Sequence, residues 1–189
     1  MTIRDAFKNV FIGYNLSNST VDNDNGTRYK VLQKESIQNN SIIPAKLVTK
    51  TFIKIDEKYF LQPSDIVIYL KKPYRVAAVI PSNNKIVVPN NFAILREIDS
   101  DKYNYLFLTY YLEKIITEKY INKSSIGAED IKKIELPDVS IDEQRKISSL
   151  LENINRRTSI YSSIMDNDNK TVDYFINKVL GDTHEEWNY

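Results

Sequence analysis

Ser140-Ile141-Asp142-Glu143-Gln144-Arg145-Lys146-Ile147 opens the stretch that decides how this chain is built. Ser140 stands where an N-cap belongs, with Glu143 three residues on, the pattern of a capping box. Beyond it Ile147, Leu150, Leu151, Ile154, Tyr161, Ile164 and Met165 recur at steps of three and four. That is the stripe of an amphipathic helix, a seam of about 25 residues and roughly 37 Å at 1.5 Å per residue. Asp166-Asn167-Asp168-Asn169 interrupts it with weak helix formers, and Val172, Phe175, Ile176, Val179 and Leu180 resume it. The spacing predicts a long kinked helix or two helices in line. Such a stripe must be covered, either by its own domain or by a second helix from this or another chain, and we favour the second helix.

Reading back from Ser140, Pro137 stops a predicted short strand, Ile134-Glu135-Leu136, which follows a short helix over 128–133 and a polar loop over 122–127. A longer helix is expected from a cap at Asp99 or Ser100 to about Tyr120, with Tyr103, Leu106, Phe107, Tyr110, Ile115 and Ile116 among its apolar positions. Before it, strand signals dominate: 29–32, 47–55, 66–70, 75–80, 86–88 and 92–96, separated by turn formers such as Pro63-Ser64-Asp65 and Pro89-Asn90-Asn91. The first segment, 2–13, fits a short helix or a strand, and 15–26 is a polar loop. The expected fold class is α+β: a twisted, mostly β module with flanking helices over 1–139, a long C-terminal amphipathic, coiled-coil-like helix over 140–181, and a polar tail over 182–189.

Composition narrows the chemistry. The chain has 189 residues, 42% apolar and 27% charged, which is globular composition. There is no Cys and a single His, His184, so disulfides, thiolate-ligated metals, thiol nucleophiles, His triads and multi-His metal sites are excluded. No metal or cofactor is expected. The N-terminus has no apolar h-region and no stretch approaches a membrane span, so a cytoplasmic location is expected. Of 26 basic and 25 acidic residues, 6 and 9 fall in 140–189, leaving 20 and 16 in 1–139. The first part is thus mildly positive, enough for a modest phosphate-binding face. The rest is negative, which suits a partner other than DNA or a solvated helix.

Three stretches together resemble the specificity subunits of type I restriction–modification systems. The first runs from Gly13 through a polar loop to Tyr29-Lys30-Val31-Leu32 and Glu35-Ser36-Ile37-Gln38-Asn39-Asn40-Ser41-Ile42. The second is Tyr59-Phe60-Leu61-Gln62-Pro63-Ser64-Asp65-Ile66-Val67-Ile68, continuing to Val76-Ala77-Ala78-Val79-Ile80; Ser64 and Ala77 stand where the family favours glycine. The third joins Ser124–Gly127, Ile131–Pro137 and Ile141–Ile147, the junction of a target recognition domain with a conserved helix. The resemblance covers roughly residues 3–165. It implies a DNA-reading domain for one half of a split site, in a protein that is not itself an enzyme. The partners it implies are double-stranded DNA, the adenine methyltransferase subunits and the restriction subunit. Family members carry two recognition domains and two helices; this chain has one of each and looks like a half-subunit.

A half-site reader needs a second reader at a fixed separation, so a homodimer through the helix is expected, using Ile147, Leu150, Leu151, Ile154, Tyr161 and Met165. Pairing with a different half-subunit stays open. The candidate DNA-binding residues form three groups. Lys71, Lys72, Tyr74 and Arg75 lie on a Pro-stiffened turn between two strands, where cations suit phosphates and Arg suits guanine. Asn15, Ser17, Asn18 and Ser19 follow the first glycine. Lys123, Ser124 and Ser125 precede the junction as a possible phosphate clamp. Each group reads equally as ordinary solvated surface. Lys46, Lys50 and Lys54 could form a basic stripe or an ion-paired face. Glu143 and Gln144 are read as structural, and Asp65 as a turn residue accepting backbone N–H bonds. The alternative function is a truncated decoy or regulatory protein that occupies the methyltransferase without completing a DNA reader. A stand-alone enzyme is disfavoured, since adjacent acids such as Glu129 and Asp130 do not share a helix face.

Overall fold

The computed structural model describes residues 1–16, 26–79 and 85–185, with side chains through Leu180. Part of the first polar loop, including Ser17, Asn18 and Ser19, and the turn at 81–85 fall wholly or mostly outside these residues. The chain divides into two compact units, Met1–Ser148 and Ser149–Tyr189.

In the first unit α1 (Ile3–Ala6) turns directly into β1 (Phe7–Ile12), so the opening segment is a short helix and then a strand. β2 (Thr27–Val31), the hairpin β3 (Ile37–Gln38) and β4 (Ser41–Ile42), β5 (Val48–Phe52), β6 (Ile66–Tyr69), β7 (Arg75–Ala78), β8 (Ile86–Val87) and β9 (Phe92–Ile98) follow. α2 (Tyr105–Lys119) and α3 (Ala128–Lys132) complete it. The main sheet is antiparallel with order β1-β9-β6-β7, and a smaller one has order β5-β2-β8 with β8 parallel to β2.

The central strands read as continuous apolar runs because both faces of the main sheet are covered. Ile66, Ile68, Val76, Ala93 and Leu95 face a core shared with Ile3, Phe107, Leu108, Leu112, Ile116 and Ile131 of the helices. Val67, Ala77, Phe92 and Ile94 face the other way, onto Leu32, Ile37, Leu47 and Ile86. The α+β architecture is therefore a sheet between helices and a second β layer. Gly13 ends β1 where a Cβ would lie 2.3 Å from the Pro89 carbonyl oxygen, so only glycine lets these backbones meet.

Two predicted elements differ. The cap of α2 is Asn104, whose side chain accepts the N–H groups of Leu106 and Phe107; Asp99 instead closes a turn by accepting the N–H groups of Lys102 and Tyr103. Ile134–Leu136 makes only a single bridge, Thr2 to Glu135, not a strand. At the end of the unit Ser140 caps α4 (Ile141–Glu185): its Oγ accepts the Glu143 N–H at 3.3 Å and donates to the Glu143 carboxylate at 2.7 Å.

The second unit is the remainder of α4. The helix is unbroken through Asp166–Asn169 and reaches Glu185, past the start of the predicted polar tail. At 1.5 Å per residue its 45 residues measure about 67 Å. No described helix is long and apolar enough to cross a membrane.

Candidate nucleic-acid interface

Two of the predicted groups, some fifty residues apart, are brought together. Leu70, just past β6, accepts the Ile126 N–H at 2.9 Å; Lys71 bridges to Ser125; the Lys72 N–H donates to the Ser124 carbonyl at 3.1 Å. The Lys72 ammonium donates to the Ile121 carbonyl. The β6–β7 turn is thus zipped to the loop after α2, giving one ridge with Lys71, Lys72, Lys123, Ser124 and Ser125 exposed.

Tyr74 holds this ridge from below. Its ring is 3% exposed, so it is a core residue and not a surface contact as predicted. Its hydroxyl donates to the Lys123 carbonyl at 2.8 Å, and burial raises its pKa. Lys123 lies 2.9 Å from an Asp130 carboxylate oxygen and over the Tyr120 ring; the hydrogen bond to Asp130 raises its pKa and lowers that of Asp130. Lys71 has no acidic partner among the described residues, which leaves it the freest cation of the ridge.

Arg75 is differently placed from the free cation that the sequence suggests. Its guanidinium lies 3.6 Å from Glu113 of α2, and Asn40 donates both to Glu113 and, at 3.1 Å, to the Val76 carbonyl. Burial raises the Glu113 pKa, with Arg75 opposing it. Asn39 and Asn40 carry the β3–β4 turn at φ 48° and 58°, left-handed values that Asn tolerates. Gln38, Asn39, Asn40, Arg75 and Glu113 line a polar cleft of about 410 Å³. The Asn-Asn pair is a hairpin signal in sequence; Glu113 on a helix 38 residues from Arg75 gives none.

A second basic face lies on the small sheet. Lys30 stands opposite Thr49 and Arg28 opposite Thr51. Of the expected stripe Lys46, Lys50 and Lys54, only Lys50 lies on β5; it stands opposite Tyr29 and so on the other face from Arg28 and Lys30. Lys46 and Lys54 are exposed outside the strand, so the three do not form one stripe. Arg28 and Lys30 share a face by strand alternation alone; they were not singled out by sequence because the predicted strand begins at Tyr29, one residue after Arg28. Asn15 is exposed just after the Tyr14–Pro89 bridge and takes no part in the ridge. Among the described residues no group of three or more His, Cys, Asp or Glu could hold a metal ion.

The junction residues act as structure. Gln144 is fully buried; its amide donates to the Lys102 and Val139 carbonyls and its oxygen accepts the Asn104 N–H at 2.9 Å. Ser148 donates to Asn104 at 2.7 Å. These bonds tie the first two turns of α4 to the α2 cap. Beyond them Leu150, Ile154, Tyr161, Ile164 and Met165 are exposed, as are Val172, Phe175, Ile176, Val179 and Leu180; Ile147 is barely so, and Leu151 is half-buried.

The family model described as type I restriction modification DNA specificity domain matches residues 4–166. Among solved structures the chain is similar to one from a study of complex assembly and conformational transition of the type I R-M system, at 18% identity and TM-score 0.63 over 96% of this chain and 44% of that one. It is also similar to the HsdS subunit from Thermoanaerobacter tengcongensis (21%, 0.58, 85% and 38%) and to a type I restriction-modification system S subunit from M. genitalium (17%, 0.60, 94% and 44%). At these identities the likeness is one of fold, and this chain spans less than half the length of each. No curated protein matches it.

Proposed function

The chain belongs to the type I restriction modification DNA specificity family, and from that premise we propose that it reads one half of a bipartite DNA site for the methyltransferase and restriction subunits of such a system. Membership gives it a recognition role, not a catalytic one. In this reading residues 1–139 are the target recognition domain, and the helix over 140–181 pairs two readers and docks the methyltransferase. Two copies present two identical heads, so the site is palindromic and interrupted.

The observation that carries the reading is the ridge. A solvated turn has no reason to be fastened to a loop fifty residues away by backbone bonds, a lysine–carbonyl bond and a buried tyrosine hydroxyl. The fastening fixes Lys71, Lys72 and Lys123 beside two serine hydroxyls, a set suited to consecutive phosphates. Arg28 and Lys30 supply a further sequence-independent contact, and Arg75 with Asn40 is the candidate for base readout. Ser17, Asn18 and Ser19 stay in the proposal through their place beside Asn15 in sequence.

Reconstitution with the cognate methyltransferase subunit tests this. A reader restores methylation of duplex DNA; a decoy, or a chain that leaves methylation unchanged, contradicts the proposal. The purified complex should bind duplex DNA with an affinity that falls steeply with salt.

A further inference from the structure

α4 carries a seam that is its own mirror image. Ile147, Leu151, Ile154, Thr158, Tyr161, Met165, Asp168, Val172, Phe175 and Val179 follow each other at alternating steps of four and three along one unbroken helix. Eight of these ten positions are apolar; the exceptions are Thr158 and Asp168, both exposed. An alternating seam can pair antiparallel with a copy of itself in several registers, each displaced from the next by one heptad. In one of them Thr158 and Asp168 meet each other. In the neighbouring registers each polar residue faces an apolar one: Asp168 would meet Leu151 or Met165, and Thr158 would meet Tyr161 or Phe175.

The register that matches polar to polar is centred on Ser163. Ser163 is also the midpoint of Ile141–Glu185, so the same register gives full overlap of the two helices. Charge agrees as well: Arg157, beside Thr158 on the flank of the seam, comes within one residue's level of the partner's Asp168. Neither Arg157 nor Asp168 has an ion-pair partner among the described residues.

We infer that two copies of this chain pair antiparallel about Ser163, with Thr158 of each meeting the partner's Asp168 in two symmetric polar layers. This rests on the homodimer proposed above and adds its register. In the single chain the Thr158 hydroxyl donates to the Ile154 carbonyl at 3.0 Å; a carboxylate across the seam is the stronger acceptor. The layers select the register, because the neighbouring registers leave the Asp168 carboxylate against Leu151 or Met165. Register in turn sets the separation of the two heads, and so the gap between half-sites.

The chain has no cysteine, so introduced thiols report cleanly. The full chain carrying Thr158→Cys and Asp168→Cys should form a covalent dimer under oxidised glutathione, and neither single variant should. A dimer by sedimentation in which the single variants cross-link is parallel and overturns the register. So does a dimer in which Leu151→Cys with Asp168→Cys links instead. A chain that stays monomeric overturns the homodimer itself, which separates the two failures. A non-covalent arm needs no thiol: Thr158→Asp sets carboxylate against carboxylate and should weaken dimerisation about tenfold or more, since opposed like charges are costly. Adding Asp168→Thr should restore it; no rescue contradicts the pairing.

Discussion

Asp65 and Arg96 form the one buried ion pair among the described residues, Nε to Oδ1 at 2.8 Å and Nη2 to Oδ2 at 2.7 Å. Arg96 also donates to the carbonyls of Lys58 and Phe60, so a strand of the main sheet holds the 57–60 turn. The turn role read for Asp65 from sequence is present, since it accepts the Gln62 N–H at 2.9 Å. Its larger role was not legible, because Arg96 lies 31 residues on and looks like the polar end of a strand. Arg96→Met should destabilise the fold by about 3–5 kcal/mol in chemical denaturation by stranding a buried carboxylate, whereas an exposed pair would cost under 1. Next to it, Ser64 has φ 65°, the left-handed region. Glycine adopts this conformation without steric cost, and this chain meets it with a serine. Ser64→Gly should raise stability by roughly 0.5–1 kcal/mol, the relief of the left-handed strain less the extra freedom of an unfolded glycine.

At the level of elements, strands were legible wherever a run of β-branched and aromatic residues lay between turn formers, because both faces of the main sheet are buried. Boundaries set by a single side chain were not. Asn104 caps α2 although Asp99 and Ser100 fit the pattern equally well, and the choice is made by Gln144 and Ser148 bonding to Asn104 from forty residues away. The candidate site was legible as two separate basic loops; their convergence was not, because it depends on the β6–β7 turn meeting the end of α2. Lys71→Ala should weaken binding alike for all DNA sequences and reduce the salt slope by about 0.9, the signature of one lost phosphate contact, measured by titration at several salt concentrations. The link between α2 and the β3–β4 hairpin carries a pH signature. Burial raises the Glu113 pKa, so the folded chain keeps this proton over a window in which the unfolded chain has released it. Glu113 therefore makes stability fall as pH rises through that window, from the ordinary carboxylate value up to the raised one. Glu113→Gln should remove that portion of the acid-range slope in denaturation at a series of pH values; an unchanged slope would place its origin elsewhere.

For the whole molecule, the sequence already separated a mostly β module from a long helix with an apolar stripe. It left open whether Asp166–Asn169 breaks that helix, since weak propensity and helical periodicity conflict there. The helix runs on, and the interruption becomes intelligible as Asp168 occupying a seam position. The exposed apolar stripe of α4 and the seam proposed for it lead to the central proposal, that this chain dimerises to read a palindromic, interrupted DNA site. Co-expression with the cognate methyltransferase subunit, followed by genome-wide mapping of modified adenines, tests it most directly. The account predicts a single motif whose two halves are inverted copies separated by a fixed gap; two unlike halves, or no motif that depends on this chain, would contradict it.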